Sequence, residues 1–382
     1  MILARLDLLA TQCDEIKKLI NSKGVNVKLY NRAAPDFLIR IDGQRSKIAK
    51  QRSRVDTGGF SETSWSTLYD CEYDCSRLFG ECLAFLQAAR ARGQDVDVDL
   101  CEIADALIDE LTETLTNIKW NRFTVLSTEE FFSDFAQIIR LRFPFRGIWD
   151  LPISAHEFGH FVATELNLAS PDGSHSLPFQ EYKSDFKKQY ADRGDEWMFY
   201  IEEYFADVFA TYVLGPAYAC TCLLLRFDPS SAHSERDKRH PSYANRAHAI
   251  SQTLLRMNNE KDSKGDFKLP VDTLTGFWNA ALESTGQKAA VIDEAQVGSF
   301  VSTFYEMLKS GAPRARFNRW NVAKSLSPWL KASVTPSNVT AADFRISDLL
   351  NTAWLYKLEP DVDSDHLSNR VIRLCRLRTD VI

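Results

Sequence analysis

The chain has 382 residues, 45% hydrophobic and 26% charged, with a formal net charge of −6 and a pI near 5.7. That is the composition of a soluble globular protein of one enlarged domain or two, and it carries no general attraction to nucleic acid or anionic membrane, so neither partner is expected. Eight cysteines with no CxxC pair imply reduced thiols and a cytoplasmic protein, since a chain this large needs no disulfide scaffold.

In chain order, Leu6, Leu9, Ile16, Leu19 and Ile20 recur at helical spacing and predict an amphipathic helix over residues 3–22, ended by Lys23-Gly24. Charges arrive too early there for a signal peptide. Val25, Val27 and Leu29, then Phe37, Ile39 and Ile41 before Asp42-Gly43, alternate with polar neighbours and predict two short strands. Arg40, Arg45, Lys47, Lys50, Arg52 and Arg54 face a single Asp42 without interleaved aromatics, which predicts a solvated loop rather than a nucleic-acid contact. Residues 62–92 and 100–120 read as helices, the first with Cys71, Cys75 and Cys82 on one face as core thiols. Ser127-Thr128-Glu129-Glu130 has the form of a capping box opening a third helix to about Leu141.

Asp150 and Pro152 are start signals for the run Ile153 to Ala163, which contains His156-Glu157-Phe158-Gly159-His160. Two histidines four residues apart share a helix face, so their imidazoles can take two corners of a tetrahedral zinc, and Glu157 is placed to take a proton from a zinc-activated water. The plain alternative is two helix histidines without a metal. Forty-three residues past His160, Glu203 and Asp207 also lie four apart, on an aromatic and aliphatic helix that would bury both. Buried carboxylates need partners. A third metal ligand at Glu203 and a hydrogen bond from a ligand histidine to Asp207 would supply them; a solvated or salt-bridged helix face is the alternative.

Together these residues resemble the gluzincin zinc metallopeptidases, the thermolysin-like group with HExxH on one helix and ExxxD on the next. The resemblance implies one zinc per chain held by His156, His160 and Glu203, with Glu157 as general base, Asp207 behind the ligands, and a protein or peptide as substrate. The longer metzincin pattern fails because Ala163 and Leu166 stand where a Gly and a third His are required, and the Gly-x-Met-Glu-Asn motif of the aminopeptidase branch is absent. His240-Pro241 with Arg246 is similar to the His-Pro-x-x-x-x-Arg stretch of prenyl-protein-processing and heat-shock membrane zinc peptidases, and hints that His240, Tyr243 or Arg246 donates to the oxyanion of a tetrahedral intermediate. The same residues also read as a loop running into a helix start.

Val208 to Leu225 is an uncharged run of membrane-span length, but Gly215-Pro216 divides it into two buried helices, so no span is expected. The polar piece from Asn167 to Gly194 reads as a rim or lid, and its His175 is not needed as a ligand because Glu203 already supplies the third corner. Phe143 to Trp149 and Phe123 to Leu126 are the extended segments available as a substrate-binding edge. Helices follow over about 242–257, 271–282, 297–308, 320–330, 341–356 and 366–374.

The expected fold is mainly α, a zincin-like two-helix metal site with at most a small β-sheet. Its parts are a helical region with a possible short β-hairpin (1–145), the zincin-like core (146–258) and a helical C-terminal region (259–382). The expected activity is zinc-dependent peptide hydrolysis. A non-catalytic scaffold with a structural or vestigial site, and hydrolysis of a non-peptide amide or ester, use the same residues.

Overall fold

The computed structural model describes residues 2–21, 27–58, 62–92, 98–116, 118–120, 124–127, 131–133, 138–142, 147–169, 176–179, 181, 182, 186, 188, 196–234, 239–287, 294–331, 344–359 and 362–379. These are mainly helical, with two small sheets. The chain divides into one unit formed by residues 1–101 and 121–143 and another formed by 102–120 and 144–382.

The first unit is built on α1 (Ile2–Ile20), α2 (Val27–Gly58) and α3 (Glu62–Arg92). Their shared core contains Leu6, Leu9 and Cys13 from α1, Phe37, Ile41, Ile48 and Val55 from α2, and Leu68, Cys71, Cys75, Leu78, Cys82 and Phe85 from α3. The thiols of α3 are therefore core groups, and all eight cysteines are buried and outside any disulfide. Two expectations change here. The second predicted strand, Phe37 to Ile41, lies inside α2, and so do Val27 and Leu29 of the first; Val25 is outside the described residues. The alternation was incidental: Ile39 is 68% exposed, whereas Phe37, Ile41, Ile48 and Val55 are buried at helical intervals. The basic run is likewise helical rather than a loop. Arg45 pairs with Asp14 at 2.8 Å, Lys47 with Asp74 at 2.6 Å and Arg52 with Asp7 at 2.6 Å, joining α2 to its two neighbours. Each such exposed pair is worth about 0–1 kcal/mol, so packing carries the stability and the charges favour one alignment of the helices.

The capping box does not start a helix. Thr124–Ser127 (β1), Phe131–Ser133 (β2) and Ile138–Arg142 (β3) form a sheet in the order β1-β3-β2, with β1 parallel and β2 antiparallel to β3. Residues 128–130 and 134–137, which complete the predicted helix, are outside the described residues. The strands succeed because Ile139 and Leu141, two apart, can both be buried while the backbone pairs on both sides of β3. The proposed edge segment around Phe123 to Leu126 thus contributes to β1, while 143–146 of the other candidate are outside the described residues and Gly147–Trp149 is a 3-10 turn.

In the second unit, α4 (Val98–Glu113, of which Glu102 onward belongs here) precedes the helix Ile153–Glu165 (α5). A two-stranded antiparallel hairpin follows, Asn167–Ala169 (β4) with Ser176–Pro178 (β5). Next come Glu196–Leu214 (α6), Pro216–Thr221 (α7), Tyr243–Asn259 (α8), Lys268–Ser284 (α9) and Glu294–Gly311 (α10). Trp320–Lys331 (α11), Ile346–Lys357 (α12) and Ser364–Thr379 (α13) complete it. The uncharged run from Val208 breaks where expected. Gly215 takes φ +60°, and a Cβ there would lie 2.7 Å from the Phe317 ring, so both conformation and space require glycine. No described helix is long and apolar enough to cross a membrane.

Candidate metal centre

The site starts from the packing of α5 on α6. Nearly every residue from Ile153 to Ala163 is buried, and Trp120 sets its ring edge against Phe158 and Phe161 at 5.3 and 4.9 Å. Gly159, between the two histidines, makes the close approach possible. A Cβ at that position would come within 3.1 Å of Ala206 Cα and of the Phe209 ring. The same contact line that excludes a side chain at 159 brings the carboxylates of α6 to the imidazoles of α5.

His156, His160 and Glu203 offer ligand atoms that all lie within 4.8 Å of one another. His156 Nε2 is 3.4 Å from Glu203 Oε2, and His160 Nε2 is 3.4 Å from Glu203 Oε1. The two imidazoles stand nearly perpendicular, with centroids 5.0 Å apart. Glu203 Oε2 is buried and has no hydrogen-bond partner. Two imidazoles and a buried carboxylate that converge at this distance form a donor set that fits a divalent metal. Nitrogen and carboxylate donors of this kind suit zinc.

Behind these three donors lies a buried polar network. Asp207 Oδ1 is 3.1 Å from His156 Nδ1, the nitrogen on the far side of the ring from Glu203. Arg246, from α8, donates Nε to Asp207 Oδ2 and Nη2 to Asp207 Oδ1, each at 2.8 Å, and its Nη1 lies 3.3 Å from Glu203 Oε2. Its guanidinium also sits over the Phe227 ring at 5.5 Å. Burial opposes every charge in this cluster, yet mutual attraction prevails. Arg246 holds Asp207 at about 2 and Glu203 well below the ordinary carboxylate range. Hydrogen bonds to Asp207 and Glu203 push His156 up to about 10 against its burial. Arg246 itself is raised by Asp207 and Glu203.

Of the three side chains considered for an oxyanion role, His240 is the most exposed. Its Nε2 is 3.8 Å from Glu203 Oε1 and its side chain is 42% exposed. Tyr243 lies one layer out, stacked on Phe227 at 5.0 Å. Arg246 is committed to Asp207 and Glu203. Glu157 is buried beside His156 and, among the described residues, makes no hydrogen bond or ion pair, which leaves its carboxylate available to a reactant. His175 is outside the described residues.

One member was not legible in advance. Tyr218, on α7, is fully buried, donates its hydroxyl to Asp207 Oδ1 at 2.6 Å and lies 3.1 Å from His156 Nδ1. Burial and the neighbouring Asp207 hold its phenol well above the ordinary value. The sole sequence signal was a tyrosine within an apolar run, whose hydroxyl must find a partner once buried.

No protein-family model, curated protein or solved structure matches the chain. The functional reading therefore stands on these side chains and their arrangement.

Proposed function

We propose that this chain is a zinc-dependent metallopeptidase of the gluzincin kind, with His156, His160 and Glu203 as ligands to one zinc. The observation that carries the reading is the convergence of two imidazoles and one buried carboxylate, with donor atoms within 4.8 Å of one another, next to Glu157, buried beside His156. A structural site needs no acidic side chain beyond its ligands and the groups that hold them, whereas hydrolysis needs a base. When bound, zinc supplies Lewis acidity, bringing the pKa of a water towards ~7 and polarising a carbonyl.

The chain's own residues do the rest. The Glu157 carboxylate accepts a proton from the attacking water and returns it to the departing amine nitrogen as the C–N bond breaks. His240 is the exposed donor beside Glu203 and supports the carbonyl oxygen as it gains charge. The buried phenylalanines on both helices exclude water from behind the ligands, leaving His160, only partly buried, towards the solvent side.

The first test is metal content by mass spectrometry for the purified wild type and for Glu203→Ala. About one zinc per wild-type chain, and clearly less in the variant, is expected. A peptide library should then show turnover that Glu157→Gln loses by 10²-fold or more while its zinc stays bound. A wild type that takes up no supplied zinc would remove the metallopeptidase reading. Zinc without turnover would favour the scaffold alternative.

A further inference from the structure

The phenol of Tyr218 stands where two members of the metal centre meet, and the kink in the uncharged run puts it there. Helix α6 ends at Leu214, Gly215 turns the chain, and α7 starts again at Pro216. The kink is pinned on both sides. Asn351 of α12 accepts from the Ala217 amide at 2.9 Å and donates to the Leu214 carbonyl at 2.8 Å. At the other end of α7 the Thr221 hydroxyl donates to the Trp149 carbonyl at 2.7 Å. With both ends of one short helix held, the Tyr218 ring lies nearly parallel to the His156 ring, 8° apart in plane.

We infer that Tyr218 is a positioning residue for the metal centre, fixing which His156 nitrogen carries the proton and which faces the metal. The hydrogen-bond inventory forces the assignment. A phenol has one proton, and the 2.6 Å bond to the Asp207 carboxylate takes it. Towards His156 Nδ1, at 3.1 Å, the phenol oxygen can then only accept. Asp207 Oδ1, also 3.1 Å from Nδ1, is an acceptor as well. Two acceptors converge on Nδ1, so Nδ1 keeps its proton and Nε2, on the side facing Glu203 and His160, is the nitrogen left to a metal. Arg246 clamps Asp207 from the other side with two 2.8 Å bonds, so the acceptor cannot swing away. Outer hydrogen bonds that orient a ligand histidine typically change metal affinity by 10–100-fold.

This inference rests on the metal reading above, and the experiment separates the two. Zinc affinity of the full chain is measured by competition with a chromophoric chelator for wild type, Glu203→Ala and Tyr218→Phe. Tyr218→Phe keeps the ring and removes only the hydroxyl. The expected result is about tenfold weaker zinc binding in Tyr218→Phe with a circular-dichroism spectrum like that of wild type. Zinc affinity within about twofold of wild type would overturn the inference while leaving the metal reading intact if Glu203→Ala still loses zinc. A wild type without zinc affinity would remove both. A second readout is the His156 Nδ1 proton in zinc-loaded, 15N-histidine-labelled protein. It should exchange with water faster and move upfield in Tyr218→Phe; an unchanged resonance would assign Tyr218 to packing alone and overturn the positioning role.

Discussion

Replacing Arg246 with methionine is the sharpest test of how the centre is balanced. Arg246 has a side chain only 12% exposed, and it faces two carboxylates, Asp207 with a side chain 0% exposed and Glu203 with one 11% exposed. Methionine fills much of the same volume and keeps the apolar contact with Phe227, but it removes the bidentate pair and the approach to Glu203. Breaking a buried pair from one side leaves an uncompensated charge, which costs about 3–5 kcal/mol. For a unit of this size that corresponds to a melting temperature lower by roughly 6–20 °C. The assay is thermal unfolding of metal-free protein for wild type, Arg246→Met, Asp207→Asn and the double variant. Asp207→Asn removes one of the orphaned charges, so the double variant should lose less than the sum of the singles by about 1–3 kcal/mol. Saturating zinc neutralises Glu203 and should recover part of the loss in Arg246→Met. A single variant melting within about 2 °C of wild type, or strictly additive losses, would refute the view that Arg246 balances two buried carboxylates.

Gly159→Ala sets helix propensity against space: alanine gains about 1 kcal/mol in a helix interior, but its methyl would meet Ala206 Cα and the Phe209 ring at 3.1 Å. Overpacking of about 1–3 kcal/mol exceeds that gain, so a net loss near 1 kcal/mol and weaker zinc binding are expected from urea unfolding and chelator competition; a more stable variant with unchanged affinity would show that the helices are not in tight contact there. Glu110, buried and pushed up to about 7 by that burial despite hydrogen bonds from Arg378 and the Ile346 amide, should make stability fall as pH rises. Between 4.5 and about 7 the folded chain keeps a proton that the unfolded chain has released, so up to about 3 kcal/mol is lost across that window and the trend flattens above it. Glu110→Gln should flatten the pH dependence of unfolding, and an unchanged slope would contradict it. Stripping bound metal with a chelator should lower the melting temperature, since free zinc at a hundred times its dissociation constant contributes about 2.7 kcal/mol; indifference to chelation would argue against a site in the folded state.

Local periodicity carried most of what could be read from the chain. The i, i+4 spacing of His156 with His160 and of Glu203 with Asp207 is a property of a single helix, and both pairs do share a buried centre. Long amphipathic stretches such as residues 62–92 were legible for the same reason, because many residues must agree on one face. Short stretches failed. Phe37, Ile39 and Ile41 alternate like a strand, but the choice was made by Ile48 and Val55, further along the same face of α2 and buried with Phe37 and Ile41 against α1 and α3. The acidic pair at 129–130 imitates a helix start, while β3, which buries Ile139 and Leu141, gained a partner strand on each side.

The chemistry of the centre divides along the same line. The sequence by itself determined which side chains could bind a metal and which acid stands beside them, because those relations span one turn of helix. Only the tertiary structure decided that Gly159 lets α5 meet α6 closely, that Arg246 pairs with Asp207, and that Tyr218 reaches His156 across a kink held by Asn351. Those contacts join residues 39 to 137 positions apart, and no spacing rule reaches that far: burial selects which distant polar groups must satisfy one another, and burial exists only once the helices have packed.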